Sequence, residues 1–65
     1  MRAMVHYKGR FYAAEQDRRG WGEEAELVIY RGATEIYRKP VPKLRDKDEL
    51  IRATVRTLEA MEAKR

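Results

Sequence analysis

Two carboxylate pairs, one histidine and a set of tyrosines set among cations are the residues here whose types and spacing could do chemistry. The pairs are Glu23/Glu24 and Asp46/Asp48. Adjacent carboxyls can act as general acid and base, but each pair has a plainer assignment, a solvated turn for the first and a helix N-terminus for the second. His6 is the only histidine, so no histidine pair can hold a metal and no second imidazole can serve as a base. Cysteine and serine are absent. That removes thiolate ligands, disulfides and the commonest side-chain nucleophiles. No Gly-x-Gly-x-x-Gly or P-loop pattern occurs. Gly20-Trp21-Gly22 is followed by Glu23 and Glu24, which would repel a phosphate. The chain is therefore expected not to be an enzyme, to carry no cofactor or metal, and to imply no small-molecule substrate.

What remains is binding. The net charge of +4 is uneven. Residues 46–65 hold five basic and five acidic side chains, so the whole excess lies in residues 1–45. Within 31–45 the basic residues Arg31, Arg38, Lys39, Lys43 and Arg45 face one acid, Glu35. An anionic partner would meet that segment. Aromatic rings can stack on bases while cations meet phosphates. The candidate partner or nucleic-acid face is Lys8, Arg10, Tyr12, Tyr30, Tyr37, Arg38 and Lys39. Glu26 shares the alternation of Val28 and Tyr30 and dilutes the patch. The Arg18-Arg19 pair is cancelled within five residues by Glu23-Glu24, so Trp21 is expected to close the end of the core rather than to stack on a base.

These side chains need elements to position them, and 65 residues make one domain. No apolar run approaches the roughly 20 residues needed to cross a bilayer, and no secretory leader pattern opens the chain; a cytoplasmic protein is expected. Asp46-Lys47-Asp48-Glu49 reads as a capping box. Leu50, Ile51, Thr54, Val55, Leu58 and Met61 then recur at helical spacing, which predicts a helix over about 47–63, with an Asp48–Arg52 pair on its outer side. Lys39-Pro40-Val41-Pro42-Lys43 predicts an extended link over 40–45, since prolines lack the amide hydrogen a central strand needs. Val41 and Leu44 should tuck under the helix start. Residues 24–31 and 34–39 are rich in β-branched and aromatic residues and are joined by Gly32-Ala33, a hairpin signal. The N-terminal run alternates, and Lys8-Gly9 admits two readings: a bend in one strand over about 4–15, or a tight turn between two short strands. The single bent strand is the expectation taken forward.

The fold expected is α+β, a three-stranded antiparallel meander packed on one C-terminal helix. Its core would be Val5, Tyr7, Phe11, Leu27, Ile29 and Ile36 against Leu50, Ile51, Val55, Leu58 and Met61. The opposite face would carry the candidate residues, with His6 at its edge. In its order of elements this plan resembles the AP2-type and integrase-arm DNA-binding domains, sheets of three strands backed by one helix, and the partner-binding antitoxins of the HicB type. Tyr7-Lys8-Gly9-Arg10-Phe11 followed by Gly20-Trp21 is similar to short bacterial proteins of unassigned function, a resemblance that implies no activity. The reading that follows is a non-catalytic interaction module, a homodimer or a partner-binding domain working through its sheet. Nucleic-acid binding through the basic, tyrosine-bearing face is the alternative.

Overall fold

A computed structural model describes residues 1–18 and 24–64, the side chains of Arg18 and Glu24 excepted. It contains four strands and one helix: β1 (Arg2–Tyr7), β2 (Arg10–Arg18), β3 (Glu24–Arg31), β4 (Thr34–Pro42) and α1 (Lys47–Ala63). The strands form one antiparallel meander in the order β1-β2-β3-β4, and α1 packs chiefly over β1 and β2. The class is α+β as expected, but the sheet has four strands where three were expected. The three-strand plan behind the resemblances to AP2-type, integrase-arm and HicB-type domains is thus not the plan of this sheet.

The extra strand comes from Lys8-Gly9, which is a turn and not a bend. Lys8 has φ 50° and Gly9 φ 77°, the pair of positive angles that a two-residue type I′ hairpin needs. Tyr7 therefore pairs with Arg10, Val5 with Tyr12 and Ala3 with Ala14. Directly opposed residues share a face, so the turn inverts the alternation that an unbroken strand would have kept. Tyr12 is buried in the core and Phe11 is 65% exposed on the other side. Both assignments are the reverse of those expected from one continuous strand.

The second turn behaves as its composition suggests. Gly32 takes φ 62° and Ala33 keeps an ordinary angle, as in the type II′ family with glycine in the first central position. A bulge between Ile29/Tyr30 and the facing Glu35–Tyr37 segment turns both Ile36 and Tyr37 towards the core. β4 then runs on to Pro42, beyond the expected end at 39. The two prolines are accommodated because β4 is an edge strand. Pro40 and Pro42 share one parity, so their missing amide hydrogens fall on the open side.

The helix matches its prediction in extent and start. The Asp46 side chain accepts from the Glu49 amide at 2.9 Å. The Glu49 carboxylate reaches back one residue further than a standard capping box, accepting from the Arg45 amide at 2.7 Å. Asp48 and Arg52 form no ion pair, contrary to expectation. The buried stripe of α1 is Leu50, Thr54 and Leu58. It packs on Val5, Tyr12, Ala14, Leu27 and Ile29, with Tyr7, Ile36, Tyr37, Val41, Leu44, Ile51, Val55 and Met61 around them. Thr54 satisfies its hydroxyl by donating to the Leu50 carbonyl at 2.7 Å. No helix is long and apolar enough to cross a membrane among the described residues. Trp21, expected as a lid on the core, lies outside the described residues.

Candidate functional site

The register sorts the seven candidate residues onto different surfaces. Tyr30 and Arg38 lie on the face away from α1, with His6. Arg10, Tyr12, Tyr37 and Lys39 lie on the helix side, because they share the parity of Tyr7, Ile29 and Leu27 across the ladder. Lys8 sits in the first turn and reaches the helix, where its Nζ meets Glu62 Oε1 at 2.6 Å. The residues therefore do not form one basic, tyrosine-bearing face.

The outer face is divided in two. Across its middle runs the row Arg2, Glu15, Val28, Arg38, one residue from each strand. Val28 is fully buried although it lies on the face away from α1; in the row it sits between Glu15 and Arg38. The Arg38 guanidinium donates to Glu26 Oε1 at 2.9 Å and to Glu35 Oε1 at 2.8 and 3.1 Å. Arg2 lies 3.9 Å from Glu15. The Arg38 hydrogen bonds hold the Glu35 carboxyl below its usual range; those to Glu35 and then Glu26 raise Arg38 itself. Burial, then the charges of Glu15 and Glu35, push the Tyr30 phenol up. Glu26 is 7% exposed, so Arg38 is its charge partner before it is anyone else's.

Beside this charged lattice lies an apolar quarter. Met4 and Phe11 are each 65% exposed. Phe11 stacks on His6, ring centroids 4.6 Å apart, as expected for directly opposed residues. These side chains border β1, a free edge of the sheet. The Gln16 amide donates to the Met1 carbonyl at 2.9 Å, which fixes the phase of the ladder. Alternation then turns the backbone groups of Ala3, Val5 and Tyr7 towards β2 and those of Arg2, Met4 and His6 outward. Sequence reasoning placed Phe11 in the core and assigned Met4 no role; Lys8-Gly9 taken as a turn would have set Phe11 outward beside Met4, which shares the outer parity of His6.

A third surface lies on the helix side, where Lys8 of the first turn meets Glu62 in the last turn of α1. A cleft of about 430 Å³ opens there between the sheet and α1. Tyr7 donates to Glu62 Oε2 at 2.8 Å, and this hydrogen bond is the first cause raising its phenol pKa. Lys8 is raised as well, chiefly by its hydrogen bond to Glu62. It also lies 5.7 Å above the Tyr7 ring. A cation at this end of α1 complements the helix dipole.

Among the described residues no three His, Cys, Asp or Glu side chains converge as a metal site would need. No protein-family model, no curated protein and no solved structure matches this chain. Function is therefore read from these three surfaces.

Proposed function

We propose that this chain is a non-catalytic interaction module that works as a homodimer, two copies pairing antiparallel through β1. The observation that carries this reading is the contrast between the two edges of the sheet. Unpaired strand edges attract other strands, and monomeric proteins blunt them with proline, charge or bulges. β4 has all three: Pro40 and Pro42, Arg38 and Lys39, and the bulge at Ile36. β1 has none over Ala3-Met4-Val5-His6-Tyr7, a stretch without formal charge.

A two-fold axis at Val5 sets Met4 opposite His6 of the second copy, and His6 opposite its Met4. Those are the residues whose amide and carbonyl groups point outward. The pairing joins two four-stranded sheets and brings both exposed Met4–His6–Phe11 quarters into one apolar surface. No like charges meet within the paired stretch. The nucleic-acid reading draws less support, since it needs a continuous basic face. The cations expected there are divided between two faces, and Arg38 and Lys8 are held by carboxylates.

The test is mass by light scattering. The wild-type chain is expected near twice its 7.7 kDa monomer mass at micromolar concentration. Met4→Pro removes an outward amide hydrogen and leaves the β1–β2 ladder intact, so it should give a folded monomer. Phe11→Glu should weaken the dimer without touching the edge. A monomeric wild type at high micromolar concentration would sink the proposal, as would a Met4→Pro chain that remains dimeric.

A further inference from the structure

The cleft beside α1 has a feature that neither the dimer nor the fold uses. Three cations line it, Lys8, Arg10 and Arg31, against one carboxylate, Glu62. That carboxylate is already engaged by the Lys8 ammonium at 2.6 Å and the Tyr7 hydroxyl at 2.8 Å. Arg10 and Arg31 make no ion pair or hydrogen bond through their side chains with any described residue. Both are exposed.

Topology places these two guanidiniums together. Arg10 is the first residue after the Lys8-Gly9 turn and Arg31 the last before the Gly32-Ala33 turn. Ala13 pairs with Tyr30, so the next step of the ladder sets Arg31 beside Tyr12, and Arg10 lies two residues before Tyr12 on the same face. The two cations thus flank one ring from neighbouring strands. Below them the lining is apolar: the body of Tyr12, with Ile36 from the bulged strand and Leu58 and Met61 from α1. Binding sites for small molecules are concave, mostly apolar, and carry a few polar groups that converge; volumes begin at about 300 Å³. A cleft of about 430 Å³ exceeds that volume, with a lining shared about equally between polar and apolar groups. Guanidinium groups bind carboxylate and phosphate through paired hydrogen bonds, and a methionine adapts to irregular apolar shapes.

We infer that this cleft binds a small organic anion, its phosphate or carboxylate group held by Arg10 and Arg31 and its flat apolar body laid against Tyr12, Ile36 and Met61. The sequence implied no small-molecule ligand because Arg10 and Arg31 are 21 positions apart, and only the two turns bring them to one end of the sheet. The site lies on the helix side, away from Met4 and Phe11, and shares only Tyr7 with the stretch of β1 proposed to pair.

The experiment is an amide NMR titration of the full chain at constant ionic strength, with phenyl phosphate, benzoate, inorganic phosphate and benzyl alcohol as separate probes. Phenyl phosphate or benzoate should bind saturably, with shifts centred on residues 10–12, 31, 36 and 58–61. Whichever binds more tightly identifies the preferred head group. Inorganic phosphate and benzyl alcohol should each bind more weakly, since each lacks one half of the recognised chemistry. Arg10→Gln and Arg31→Gln should each lower affinity about tenfold while preserving the dispersion of the spectrum. Three results would overturn the inference: no saturable binding of either aromatic anion at millimolar concentration, equal binding of benzyl alcohol, or unchanged affinity in the folded double variant.

Discussion

Arg38 was legible in the sequence as a cation but not as a partner. Glu26 lies twelve positions away, and contact between them depends on the β3–β4 register, which local pattern does not specify. Glu35 is closer, but the bulge between the two residues sets the geometry of the pair. The pairing has a consequence for acid stability. The folded Glu35 pKa is depressed by Arg38. A depressed carboxyl stabilises the fold above its unfolded pKa, about 4.3 for glutamate, and that contribution is lost as pH falls through the lower, folded value. Glu35→Gln should therefore be less stable than wild type near neutrality, with the gap narrowing below about pH 4. Urea midpoints for both chains at neutral and at low pH check this. An equal gap at both would show that Arg38 does not act on Glu35.

At the scale of elements, what was legible was what local spacing encodes. The helix could be read because its apolar residues recur at three and four positions and its cap is a few residues long. The face assignments could not, because strand parity past Lys8-Gly9 depends on whether those two residues reverse the chain. Lysine with φ 50° is a conformation most side chains avoid, so Lys-Gly carries a weaker hairpin signal than Asn-Gly. That ambiguity exchanged Phe11 for Tyr12 in the core and moved Arg10 to the helix side, while the bulge at Ile36 moved Tyr37 and Lys39 there. The turn itself can be tested. A Cβ at Gly9 or at Gly32 would meet no atom within 4 Å, so substitution is opposed by backbone strain alone. Gly9→Ala and Gly32→Ala should each cost about 1 kcal/mol, measured as shifts of the denaturation midpoint. A neutral Gly9→Ala would argue for a bend instead of a reversal.

At the scale of the molecule, small size suggested a homodimer or a partner-binding domain working through its sheet; the proposed pairing through β1 would narrow that to one edge. A domain this small buries only about 60% of its unfolded surface and is marginally stable without help. Here no disulfide supplies that help. If pairing through β1 supplies it, association and folding are linked, and anything that binds the native state alone stabilises it by mass action. The wild-type melting temperature should then rise with protein concentration over a range of about a hundredfold. Met4→Pro, which has no outward amide at that position, should melt at a temperature independent of concentration and meet the wild-type curve at its dilute end. The comparison separates two effects that a single melting curve would mix. Local damage to β1 would lower the variant's temperature even at high dilution, whereas loss of the partner lowers it only where wild type is paired. A wild-type temperature that does not move with concentration would mean that β1 stays open in solution, and that the fold reaches its stability from the core beneath α1 alone.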